Sequence, residues 1–378
     1  VRRLAACAAL LLALAACSKD KEVNPPAELV DFKQTLAVER LWDASLGGGE
    51  AALRLGLGAT VVGDRVYAAG HGGEVAALAL ANGKTIWQAK TKAPLSASAG
   101  ADATLVAVGS SEGEVIALSA DSGGILWRVR VRGELLSAPL VAPTAVVVRT
   151  VDGRLVALAR DDGHELWSAE QQIPRLTLRG IAAPVLAGDV VLCGFDNGKV
   201  VGASLRDGSV LWETPVAPPR GRTELERLSD IDSRVEVSGD NVFAVGFQGR
   251  IAMLALDTGQ IWWSRDLSSY RGLALEGDHL YISTAEGDVV SMESRAGGET
   301  WRQKALAYRG LSAPAVLGNH IVVADFEGYV HFLDKATGAI AARVKSGGKR
   351  VSNPPVIAGD IVVVVNDDGR VSAFRAKA

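Results

Sequence analysis

Short apolar runs broken by tight polar turns fill most of this chain. One unit shows the whole pattern. Ala145-Val146-Val147-Val148 is a β-branched run, Asp152-Gly153 a turn, Leu155-Val156-Ala157-Leu158 a second apolar run, and Glu165-Leu166-Trp167 a third beyond the glycine at 163. Runs this short between glycine turns read as strands, not helices. The pairs Asp152-Gly153, Asn197-Gly198 and Glu286-Gly287 suit hairpins that need positive φ. A further turn recurs ahead of these strands, as in Gly188-Asp189, Gly239-Asp240 and Gly359-Asp360. Ahead of that lies a small-residue segment read as the first strand: Ser137-Ala138-Pro139, Ala182-Ala183-Pro184, Ser312-Ala313-Pro314 and Ser352-Asn353-Pro354. Four strands in about 40 residues make one blade of a β-propeller.

The unit repeats in strict register. First glycines stand at 73, 113, 153, 198, 249 and 287; in each copy a second glycine follows 10 residues later and a tryptophan 14 later. A seventh copy, at Gly328 and Gly338, has Ala342 in place of tryptophan, and an eighth begins at Gly369 and lacks its last strand. The N-terminal part supplies an unclaimed strand of the missing kind, Glu39-Arg40-Leu41-Trp42, and Trp42 precedes Trp87 by 45 residues, one blade's length. The sequence therefore predicts an all-β protein, an eight-bladed β-propeller of four-stranded blades. Its last blade takes three strands from the C-terminal end and one from the N-terminal end, so the ring closes without an open sheet edge.

What precedes the propeller reads as an address and a tether. Arg2 and Arg3, the apolar run Leu4 to Ala16, and small residues before Cys17 have the order of a secretory signal peptide over 1–16. Leu14-Ala15-Ala16-Cys17 resembles a bacterial lipobox, which implies acylation of Cys17 and attachment to the membrane through that lipid alone. In sorted lipoproteins an aspartate at the next position retains the protein at the inner membrane; Ser18 therefore implies the periplasmic face of the cell outer membrane. The charged, proline-containing segment Ser18 to Pro26 reads as a flexible tether, so residues 17–27 are the lipidated N-terminus and 28–378 the propeller.

Composition narrows the chemistry. The formal charge of −3 becomes −5 once Arg2 and Arg3 are removed, which gives no electrostatic reason to expect nucleic acid. With Cys7 cleaved and Cys17 acylated, only Cys193 remains; it sits in an apolar run and is expected to be a buried, inert thiol. The five histidines, at 71, 164, 279, 320 and 331, have no metal-ligand spacing, and no nucleophile elbow occurs. Gly83-Lys84-Thr85 imitates the end of a phosphate loop, but Leu78 stands where its first glycine belongs. Tryptophans at a fixed offset are expected to pack between neighbouring blades; Trp262, one residue out of register, is the exception.

The repeat, clearest in Asp257-Thr258-Gly259-Gln260-Ile261-Trp262-Trp263, resembles that of quinoprotein alcohol dehydrogenases. The vicinal cysteine pair typical of those enzymes is missing, which argues against catalysis and against a cofactor or metal. A non-enzymatic binding role is expected; an unrelated periplasmic propeller that binds a ligand or protein is the alternative.

Spacing between first glycines runs 40, 40, 45, 51, 38, 41 and 41 residues, so two successive inter-blade links are expanded. The first insert contains Pro174-Arg175-Leu176-Thr177-Leu178-Arg179-Gly180, the second Arg227-Leu228-Ser229-Asp230-Ile231-Asp232. Both links fall on the face of the disc that carries the Asp/Asn-Gly hairpins, and are expected to set exposed leucines beside arginines and aspartates. An eight-bladed lipoprotein with these inserts is similar, over the whole chain, to the BamB family of the outer-membrane β-barrel assembly machinery. The resemblance implies a scaffold that binds the periplasmic POTRA domains of BamA within a multi-subunit complex and engages unfolded outer-membrane protein precursors. It further implies that Leu176, Leu178, Arg179, Asp230 and Asp232 face that partner.

Overall fold

Tight glycine turns force consecutive strands to pair antiparallel, and a twisted four-stranded sheet with two apolar faces buries both by packing between neighbouring sheets. The computed structural model, which describes residues 24–47, 55–178, 182–219 and 221–377, contains eight four-stranded antiparallel sheets. Seven are built from consecutive strands, at 59–90, 100–130, 140–170, 185–215, 236–266, 273–303 and 315–345. The eighth pairs the C-terminal strands with Ala37–Ser45, and Trp42 lies opposite Ala373. The protein is an eight-bladed β-propeller closed by its N-terminal strand.

The inner strands differ from the reading above. They are Leu140–Val141, Val185–Ala187, Ala315–Leu317 and Val356–Ala358, each starting after the small-residue triplet. Proline has no N–H to give to the ladder, so pairing begins beyond it. The triplets turn inward instead: Ser137, Ala138, Ala183, Pro314 and Asn353 line a central cavity of about 730 Å³. The outer strands are also longer than expected. Tryptophan is the third of six residues in Ile125–Arg130 and Glu165–Glu170, because pairing continues to the hairpin at the far face (Arg154 opposite Glu170).

Each tryptophan joins its blade to the next. All seven in register donate their indole N–H to a backbone carbonyl of the following blade at 2.7–3.0 Å, from Trp42 on Leu80 round to Trp301 on Lys335. The ring lies flat on a glycine of the same turn. Gly163 has φ +78°, and a Cβ there would stand 2.6 Å from the Trp127 ring. The ladder bulges at the residue before each tryptophan, as between Met253 and Leu254 opposite Trp263. This is why Trp262 is 56 % exposed.

Ala342 breaks the series for a physical reason. The turn on which a tryptophan there would lie is absent from the eighth blade, whose two outer strands come from opposite ends of the chain. Leu36 is buried there against Phe332, Phe374 and Ala342, and its N–H reaches Ala341 O at 3.3 Å. Cys193 is fully buried, and burial pushes its thiol up to about 12.

Candidate functional site

Both inserts lie on the expected face, and the structure separates their residues into two layers. In the first, Gln171 N–H bonds Gly153 O at 2.8 Å and Asn197 Nδ2 donates to Gln172 O at 2.9 Å, tying the insert to two neighbouring hairpins. Beyond these anchors Leu176 and Leu178 are 44 % and 41 % exposed. Arg179 lies outside the described residues, as does Cys17.

The second insert begins with a local turn and ends in the core. Thr223-Glu224-Leu225-Glu226 forms a capping box: Glu226 Oε2 accepts the N–H groups of Arg222 and Thr223 at 2.7 and 3.1 Å, and Thr223 Oγ1 accepts the N–H of Glu226 at 3.2 Å. Leu225 is exposed at its tip. From Leu228 the chain dives between the fourth and fifth blades. Ile231 is fully buried among Val216, Val235 and Leu192, and its N–H reaches Phe195 O at 3.1 Å.

This corrects the expectation that the aspartates lie at the surface. Asp230 and Asp232 are buried beneath the first insert, because the intervening Ile231 seats the segment in the apolar core. Asp230 Oδ2 accepts the N–H of Leu178 at 2.5 Å. A buried carboxylate of the second insert thus fixes the backbone of an exposed leucine in the first.

Two residues that the sequence reading did not single out complete the site. Asp196, in the hairpin of the fourth blade, lies within 4.8 Å of both insert aspartates, measured between carboxylate oxygens. Arg149, at the end of a strand of the third blade, bonds Asp196 at 2.5 Å, and its guanidinium lies 5.3 Å from the centre of the Phe195 ring. Both partners of that pair are essentially inaccessible to water. A signal for Arg149 existed: the equivalent position of the other repeats holds Ala69, Gly109, Gly194, Val245, Ser283, Ala324 and Val365. A lone arginine among small and apolar residues must be paired once buried.

Among the described residues, three carboxyls gather at the Arg149 guanidinium, with Arg271 acting on Asp232 as well, and buried carboxyls so crowded cannot all remain charged at ordinary cost. Burial, then the N–H of Leu178 working against it and the charge of Asp196 adding to it, leaves Asp230 pushed up to about 6. Burial, then Asp230 and Asp196, pushes Asp232 well above the usual carboxylate range. Asp196 and Asp230 each already give one oxygen to a protein donor. The arrangement is a clasp between two blades and two inserts; among the described residues no histidine belongs to it, and the one thiol beside it, Cys193, is the buried group whose proton is held tightly.

Comparison with known proteins gives the clasp its setting. The family model described as "Outer membrane protein assembly factor BamB" matches residues 35–100, 71–303 and 285–378. A protein of that name from Pseudomonas aeruginosa is 48 % identical over 313 residues, 82 % of each chain. Its counterpart from Kangiella koreensis is 42 % identical over 296 residues, 78 % of this chain and 76 % of that one. The crystal structure of BamB from Moraxella catarrhalis superposes with a TM-score of 0.82 at 26 % identity, covering 90 % of this chain and all of that one. A quinohemoprotein alcohol dehydrogenase from Comamonas testosteroni shares the fold alone, at 12 % identity and a TM-score of 0.70 over 89 % of this chain and 76 % of that one. Family model, relatives and fold agree: this chain belongs to the BamB family of outer membrane protein assembly factors.

Proposed function

We propose that this assembly factor is a non-enzymatic scaffold held at the periplasmic face of the outer membrane by a lipid on Cys17, and that its insert face docks onto the periplasmic POTRA domains of BamA. The observation that carries this reading is the pair Leu176 and Leu178: two exposed leucines on an insert whose backbone is pinned by the buried Asp230. Large apolar side chains held rigidly at a surface lose little entropy on docking and suit an apolar groove. Arg179, next in sequence, adds a guanidinium suited to planar, paired recognition to the same contact. Asp230 acts from below by positioning Leu178, and Asp232 is buried beside it. Binding of unfolded barrel precursors belongs to the same proposal, as a second task of the complex.

Purification of the tagged full-length protein from solubilised outer membranes tests the reading. BamA is expected in the eluate of the wild type and not in that of Leu176→Asp with Leu178→Asp. Equal recovery of BamA with both proteins would overturn the assignment of this face.

A further inference from the structure

The segment before the first strand is bound to the disc, and its path fixes where the tether leaves. Ala27 N–H bonds Ala307 O at 2.9 Å, and Arg309 Nη1 donates to Ala27 O at 3.0 Å. Arg309 is itself buried and held at 2.8 Å by Asp325. Leu29 packs against the core between blades six and seven, while Arg343 reaches Val30 O at 3.2 Å and stacks over Phe32 at 5.1 Å. Thr35 and Leu36 bond Ala341 O at 2.9 and 3.3 Å. Residues 27–36 therefore form a strap antiparallel to the outer strand Ile340–Lys345. The strap begins on the face that carries the inserts, at the link between blades six and seven, two blades round the ring from the second insert.

Tyr308 stands at this exit. It is 40 % exposed and holds φ +56°, a conformation unfavourable for a residue with a Cβ, with its N–H bonded to Glu286 O at 2.6 Å. A tyrosine presents an apolar ring with a polar tip, the combination suited to a lipid–water boundary.

We propose that the link between blades six and seven, with Tyr308 at its tip, is the part of the disc that rests against lipid headgroups, leaving the inserts free for protein. The inference rests on acylation of Cys17. Nine residues separate Cys17 from Ala27, and they reach about 30 Å when fully extended. The exit can lie no further than that from the bilayer, whereas the diametrically opposite rim, on the other face, is free to stand well clear.

Energy transfer on vesicles tests this with the full, lipidated chain. A donor dye is placed on Lys304→Cys, beside the exit, or on Ser122→Cys, at the opposite rim; the acceptor is a headgroup-labelled lipid in phosphatidylethanolamine–phosphatidylglycerol vesicles. Cys193 is buried and stays unlabelled. Transfer from position 304 is expected to exceed that from 122 by roughly twofold or more, given the tether's reach. Ten Gly/Ser residues inserted between Pro26 and Ala27, which leave the strap intact, should bring the ratio close to one. Equal transfer from both sites of the vesicle-bound wild type would overturn the proposal. Vesicle binding that survives Cys17→Ser would instead refute the acylation on which it rests.

Discussion

Asp232 shows how a residue that looks like surface charge in the sequence comes to be buried. Acidic side chains in a polar, arginine-rich insert ordinarily face water; here the apolar Ile231 between two aspartates draws both into the core. Their raised pKa values fix the sign of a pH effect. A carboxyl that binds its proton more tightly folded than unfolded makes folding take up a proton between the two pKa values, so its contribution to stability falls as pH rises. For Asp230 that window runs from about 4, the unfolded value, up to about 6. Asp232→Asn removes a charge that the site disfavours and keeps the shape. It should stabilise the protein at pH 7.5 by on the order of 1 kcal/mol, and that gain should vanish near pH 4, as read from urea denaturation at both values. Destabilisation by several kcal/mol at pH 7.5 would show that the carboxylate is a satisfied anion.

Among the elements, the join between blades is the tryptophan of one resting on the glycine turn of the next. Gly163→Ala should cost about 2 kcal/mol or more, combining the penalty for positive φ with overpacking against Trp127. In a Trp127→Ala background the same change should cost only the backbone share, about 1 kcal/mol. Additive costs across this double-mutant cycle would show that ring and turn are not coupled. These joins were legible in the sequence, because a repeating turn-to-tryptophan spacing reports one geometry many times over. The start of the inner strands is less legible, since the small residues before Pro139 and Pro184 resemble a strand that the proline then postpones. The pairing of Arg149 with Asp196 was not legible as a pair: it spans 47 residues and joins two blades, and no local pattern encodes such a contact. Arg149 alone, against the small residues of the other repeats, carried a hint of it.

At the scale of the whole molecule, one closed ring serves three tasks: it hides sheet edges, seats the N-terminal strap, and sets the two inserts side by side on one face. Closure depends on the strand Ala37–Ser45, which supplies the outer edge of the last blade and its Trp42. Deleting residues 28–46 should expose that edge and give aggregation or a large loss of thermal stability, measured by light scattering and calorimetry. A monomeric truncated protein that melts like the full chain would mean that the strand is not needed to close the ring.

On the function proposed here, this assembly factor grips its partner through the insert face. The most direct measurement is the affinity of the purified propeller for the isolated POTRA domains of BamA, for wild type, Arg179→Ala and Lys335→Ala. Lys335 lies on the opposite face and forms a surface ion pair with Glu276 at 2.6 Å, so its loss should change affinity very little. Loss of a central contact is typically worth about 2 kcal/mol, or roughly thirtyfold in Kd, and that weakening is expected for Arg179→Ala with the melting temperature unchanged. If Arg179→Ala binds as tightly as wild type while Lys335→Ala weakens binding, the partner sits on the other face of the disc.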